Sequence, residues 1–90
     1  MPGYVEQKDP DETRDYSVDW STYLGTDTIS TSTWTVPTGL TGGTESNTAT
    51  TATVWLSGGV GGQEYEVLNE ITTVAGRTYQ KTLVIPVLDD

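Results

Sequence analysis

Gln63-Glu64-Tyr65-Glu66-Val67-Leu68-Asn69-Glu70-Ile71-Thr72-Thr73 is the stretch on which the fold of this chain turns. Successive side chains of a β-strand point to opposite faces of a sheet. At that period of two, Tyr65, Val67, Asn69, Ile71 and Thr73 share one face, and Glu64, Glu66, Leu68, Glu70 and Thr72 share the other. The glutamates mark the wet face. Ala75-Gly76-Arg77 then supplies a hairpin turn, and Thr78 to Leu88 forms the returning strand, with Tyr79, Leu83, Ile85 and Val87 facing inward. Pro86 has no N–H to donate to a ladder, so this strand is expected at a sheet edge, or leaving the sheet at that residue.

Upstream, Gly58-Gly59-Val60-Gly61-Gly62 reads as a turn, because glycine reaches otherwise forbidden backbone angles at little steric cost. Before it, residues 48–57 alternate, with Ala52, Val54 and Leu56 on one side and Thr51, Thr53 and Trp55 on the other. Pro37-Thr38-Gly39 and Gly42-Gly43 read as breaks around a short strand near Leu40. In the segment from Asp27 to Val36, Ile29 and Trp34 stand at an odd spacing, which a straight strand cannot place on one face. A bulge between them reconciles the two. Tyr16, Val18 and Trp20 alternate with Ser17, Asp19 and Ser21 in another strand. Six or seven short strands, with turns at the roughly 8–12-residue spacing of sandwich proteins, predict an all-β, two-sheet sandwich with no helix.

Ninety residues suit one domain. Residues 1–14 carry two prolines and several charges, with Tyr4 and Val5 as the sizeable apolar groups, and read as an extended N-terminal arm; residues 15–90 form the sandwich. Such an arm is held either by a partner or by folding back on its own domain. Threonine fills 18 positions, and Phe, Cys and His are missing. Without Cys there is neither a disulfide framework nor a thiolate metal site, and without His the commonest metal ligand and general base is gone. Thirteen acidic against four basic side chains give a formal charge of -9, which repels phosphate backbones and anionic lipid alike, so neither nucleic acid nor a membrane is an expected partner. The start of the chain shows no secretory signal pattern, and no segment reaches the length of a membrane span.

Candidate chemistry is sparse. Asp9, Asp11, Glu12, Asp15 and Asp19 are the type of ligand Ca2+ takes, but their spacing does not match an EF-hand, and a solvated or partner-facing acidic surface is the better reading. No Lys-Ser/Thr follows the glycine run, so a phosphate loop is not expected. Glu64, Glu66 and Glu70 fall on a wet face rather than in a cleft, and the many hydroxyls have only Lys8 and Lys81 as unusual bases. No enzyme activity, cofactor or metal is expected. Trp20 and Trp34 fall on inner faces. Trp55 falls on an outer face, with Tyr4 and Tyr23 near the surface, where an aromatic anchors a protein contact or stacks on a sugar ring.

Ile29 to Trp34, Thr50 to Leu56, and Gly62-Gln63-Glu64-Tyr65-Glu66-Val67 running to Val74-Ala75-Gly76 resemble strands B, E, F and G of an immunoglobulin-like or fibronectin type III sandwich. Tyr65, three residues after a turn glycine, is similar to the tyrosine corner of such folds. A narrower resemblance rests on several pieces together: Asp9-Pro10-Asp11-Glu12, Asp15-Tyr16-Ser17-Val18-Asp19-Trp20-Ser21, Leu24, Asp27-Thr28-Ile29, Val54-Trp55-Leu56-Ser57-Gly58-Gly59, Ile71-Thr72-Thr73 and Gly76-Arg77. From residue 8 onward the chain resembles small Ig-like virion proteins of tailed bacteriophages described as fibre-tail adaptors. That resemblance implies a non-enzymatic structural protein of the virion, assembled in the host cytoplasm, touching other tail, fibre or capsid subunits and present in several symmetric copies. A capsid decoration (cement) protein and a carbohydrate-binding β-module are the alternatives. The expected partner interface comprises Tyr4, Val5, Asp9, Asp11, Tyr23 and Trp55.

Overall fold

The structure, a computed structural model, describes the backbone of Gly3 and Tyr4, then Lys8, then residues 12–88. Its elements run β1 (Gly3–Tyr4), β2 (Arg14–Asp19), α1 (Ser21–Leu24), β3 (Ile29–Thr35), β4 (Leu40–Asn47), β5 (Thr51–Gly58), β6 (Gln63–Thr73) and β7 (Thr78–Val87). One sheet has the order β1-β7-β6-β3 and the other β2-β5-β4. All neighbours are antiparallel except β1, which lies parallel to β7. In the immunoglobulin scheme β2, β5 and β4 occupy the positions of strands B, E and D, and β3, β6 and β7 those of C, F and G.

That arrangement corrects one strand identity. Ile29 to Trp34 belongs to β3, which pairs with β6, so it takes the C position; β2, with Tyr16 and Val18, takes B. Alternation reveals that a segment is a strand and which face is wet. It does not reveal the neighbour.

The inner faces are those the alternation predicts. Tyr16 and Val18 of β2 and Ala52, Val54 and Leu56 of β5 pack with Val67 and Ile71 of β6 and Leu83 and Ile85 of β7. The expected bulge is present as a register shift between Ile29 and Thr31, and it lets Ile29 and Trp34 both be buried. Asn69 sits on the inner face of β6, fully buried. Its Oδ1 accepts the indole N–H of Trp20 at 2.9 Å, while its Nδ2 donates to Ser32 Oγ and to the Thr33 carbonyl, each at 3.0 Å. A buried amide is tolerated when its donors and acceptor are met in this way.

The structure adds a helix where none is expected. The N–H groups of Tyr23 and Leu24 both donate to the Trp20 carbonyl, making the single turn α1, and Gly25 ends it at φ 59°. Trp20 and Leu24 stand four residues apart, so one helical turn puts both in the core, and a reading at period two cannot detect so short a change of period. A second difference concerns β4. Gly42 and Gly43 do not break it; they lie in a bulge where the register shifts between Gly42 and Glu45, and the strand continues to Asn47. Beyond Leu40 every residue of β4 is exposed, as suits a sheet edge.

Tyr65 forms the predicted corner. Its hydroxyl accepts the Val60 N–H at 3.0 Å, and its ring packs so closely on Gly39 that a β-carbon there would lie 2.7 Å from Cε1. Gly39 has φ +107°, a conformation open to glycine alone at low cost.

The described parts of residues 1–14 lie against the chain's own sheet. Gly3 and Tyr4 pair with Leu83 and Val84, and Lys8 bridges Val87. The Lys8 N–H donates to the Pro86 carbonyl and the Leu88 N–H to the Lys8 carbonyl, both at 2.9 Å. Lys8 is fully buried, and its ammonium donates to the Gly58 carbonyl at 2.7 Å. Arg14, expected as the last residue of the arm, already belongs to β2. Pro86 stays in β7, and β7 is not an edge strand. In a strand a residue's N and C=O point to the same side. The Pro86 carbonyl faces Lys8, so its missing N–H falls on the arm side and leaves the ladder with β6 intact.

Candidate partner interface

Trp55 projects from the outer face of the β2-β5-β4 sheet and is 42% exposed. Its side is shared by Asp15, Ser17 and Asp19 of β2, by Thr51, Thr53 and Ser57 of β5, and by Thr41 and Ser46 of β4. Asp15 is directly across from Trp55. The Trp20 N–H donates to the Thr50 carbonyl, which sets the phase of the ladder: Asp15–Trp55, Ser17–Thr53 and Asp19–Thr51 are the non-hydrogen-bonded pairs, whose side chains stand closest. The 2.8 Å contact between Ser17 Oγ and Thr53 Oγ1 agrees with this. On the other flank runs the bulge of β4, where a β-carbon on Gly43 would lie 3.6 Å from that of Trp55. Asp19 accepts the Ser21 N–H at 2.9 Å, and this bond, more than any other influence, lowers its carboxyl below the ordinary 3.8.

Tyr23 lies elsewhere. It is 57% exposed on α1, with its ring edge-on to Trp20 at 5.4 Å and 5.9 Å from Tyr79; Trp20 and Tyr79 are stacked at 6.1 Å. The cluster caps the end of the core at which β6 turns into β7. Asp15 and Trp20 stand five positions apart along the chain, about 16 Å at the usual strand rise, so Tyr23 and Trp55 do not form one patch.

Of the remaining expected interface residues, Tyr4 is described in its backbone alone, and Val5, Asp9 and Asp11 lie outside the described residues. Of the acidic set considered for Ca2+, Asp15 and Asp19 share the outer face of β2 but stand four residues apart, about 13 Å, too far to share an ion. Among the described residues no three carboxylates come together. Glu64 and Glu66 are exposed on β6, while Glu70 accepts the Gln80 amide at 2.6 Å.

Asp27 has a structural task that sequence reading missed. Its Oδ1 accepts the N–H groups of Thr28 (2.9 Å) and Ala75 (3.2 Å), and its Oδ2 pairs with Arg77 at 3.2 Å, tying the loop after α1 to the β6–β7 hairpin. The Thr73 hydroxyl leads the hydrogen bonds that hold its carboxyl below 3.8, against the opposing effect of burial. Val60 and Val74, both in turns, and Leu88 after β7 are also exposed, and Tyr79 joins Tyr23. Turn residues carry no periodic signal, so their exposure was not legible in the pattern.

Strand order and the tyrosine corner define the class: a small immunoglobulin-like β-module. Residues 8–86 match the family model described as Podophage GP4 fiber-tail adaptor protein gp77, and the chain belongs to that family. The family is one of structural adaptors of a phage tail, which places the chain among virion components that meet other tail or fibre proteins. No curated protein matches the chain. A solved structure titled "Endo-fucoidan hydrolase MfFcnA4 from glycoside hydrolase family 107" is similar, with a TM-score of 0.66 and 16% identity over 99% of this chain. This chain spans 13% of that protein's length, and at this identity the likeness shows the fold alone.

Proposed function

We propose that this chain is a non-enzymatic connector in a podophage tail, present in several symmetric copies, that joins tail and fibre components through its outer surfaces. The family match over residues 8–86 carries this reading. A chain with neither His nor Cys also lacks the side chains that most often activate a nucleophile. The sandwich supplies a stiff body. Tyr4, Val5, Asp9 and Asp11 of the N-terminal arm, with Trp55 and Tyr23 on the outer surface, are the groups that meet neighbours. Because Gly3 and Tyr4 already pair with β7, strand addition by a neighbour continues outward from β1 rather than starting at β7.

Phage produced without the chain tests this directly. The expected particles have filled heads and tails but few fibres and fail to adsorb, and supplying the chain in trans restores both. Fibres present in full number on particles that lack the chain would overturn the proposal. The alternative of a carbohydrate-binding module draws on the exposure of Trp55 on a sheet face. A glycan array with wild type and Trp55→Ala separates the two, since sugar binding lost in the variant favours the module.

A further inference from the structure

The outer face of the β2-β5-β4 sheet combines three properties. Trp55 offers an exposed indole. Asp15 stands beside it in a non-hydrogen-bonded pair, where β-carbons are about 4.5–5.5 Å apart, and is exposed. Gly43, in the bulge on the opposite flank, adds no side chain beside the Trp55 β-carbon. Among the described residues this face holds two carboxylates, Asp15 and Asp19, and no cation. Arg14 falls on the inner side opposite Leu56, Lys8 is buried beside β7, Arg77 lies in the β6–β7 hairpin, and Lys81 is in β7.

An aromatic face beside a carboxylate, on a chain of net charge -9, selects a cation. A guanidinium suits it better than an ammonium. It is planar, stacks on an indole while keeping its N–H fork in plane for a carboxylate, and sheds water more readily. We infer that the Asp15–Trp55 pair is a receptor for an arginine side chain presented by a basic surface of the neighbouring tail or fibre protein. The inference rests on the connector reading for the identity of the partner and on charge complementarity for its chemistry. The indole is the platform, Asp15 fixes the in-plane direction, and Asp19, further along the same strand, extends the negative field over the face.

The test uses the whole 15N-labelled chain and three capped tripeptides, Gly-Arg-Gly, Gly-Lys-Gly and the uncharged Gly-citrulline-Gly. Three indole N–H signals are expected, of which Trp20 and Trp34 are buried and serve as a check that the fold is unchanged. The arginine peptide is expected to shift the Trp55 signal saturably, with affinity about fivefold above that of the citrulline peptide and above that of the lysine peptide. In Asp15→Asn, with Trp20 and Trp34 signals unmoved, the arginine preference should fall to about twofold or less, and added salt should weaken the wild-type preference in the same direction. Equal binding of arginine and citrulline peptides, an arginine preference untouched by Asp15→Asn, or a saturable shift with a neutral oligosaccharide in place of the arginine peptide would each overturn the inference. Fibre attachment is read on particles and arginine binding on the isolated chain, so a failure of the connector reading and a failure of this inference are told apart.

Discussion

Asn69 shows how one polar side chain holds the two sheets in register. It belongs to the four-stranded sheet, and its Oδ1 receives the indole N–H of Trp20, which follows β2 of the other sheet. Asn69→Ala removes that acceptor and both of its own donations, so chemical denaturation should show a loss of about 3 kcal/mol, with Asn69→Leu recovering little because the Trp20 N–H stays buried and unpaired. Tyr65→Phe removes a single bond to the Val60 N–H while leaving the ring in place, and a smaller loss of about 1 kcal/mol is expected. Asp27 governs a pH effect. Its carboxyl is held below the ordinary 3.8, so the folded state favours the ionised form, and its contribution is complete above that value and lost as pH falls through the lower folded one. Thermal midpoints of wild type and Asp27→Asn, followed from pH 6 down to pH 2, should therefore converge at the acid end.

At the scale of elements, turns and edges carry the constraints. Tyr65 and Gly39 clamp the β5–β6 turn to the loop before β4, and Gly39→Ala meets both a positive φ and the tyrosine ring. A loss of about 2 kcal/mol or more is expected, with Gly62→Ala, where φ is positive but the space is open, as the milder comparison. On the outer side of β7 the described arm is held by a two-residue ladder and the Lys8 bridge, interrupted by the missing donor of Pro86. Few backbone bonds mean a low local opening energy. In Lys8→Ala the ammonium bond to Gly58 disappears, and hydrogen exchange at the Leu88 amide, which donates to the Lys8 carbonyl, should accelerate at least tenfold while the β6 amides keep their protection. The short α1 explains why Trp20 and Tyr23 meet: one helical turn swings Tyr23 back over the indole, and Tyr79 arrives from the other sheet.

As a whole the molecule is a rod, 43 Å in its longest dimension against 23 and 18 Å in the others, and its exposed charge is largely of one sign. Lys8 is buried, Arg14 lies 4.0 Å from Glu12, and Arg77 is engaged by Asp27. Carboxylates therefore dominate the surface and repel one another, so moving from about 0.05 to 0.5 M NaCl should raise the thermal midpoint by a few degrees as the screening length shrinks. The same screening weakens docking to a basic neighbour, so the salt effects on folding and on assembly have opposite signs. Trp55→Ala divides the two in another way: its surface position predicts a change in stability within about 0.5 kcal/mol, against a clear loss of incorporation into particles.

The alternation of β2, β5, β6 and β7, the wet faces marked by glutamates and threonines and the bulge after Ile29 all follow from the order of residues, because a two-residue period and turn chemistry are local properties of a chain, while the tyrosine corner was implied by the resemblance to immunoglobulin-like folds. The outward position of Trp55 was legible for the same reason. Tertiary structure alone placed Ile29 to Trp34 against β6, set Asp15 across from Trp55 and Gly43 on its flank, returned Lys8 to its own sheet and brought Tyr23 to Tyr79. Those are pairings between residues distant along the chain, selected by which faces can be buried together, and no local period encodes them.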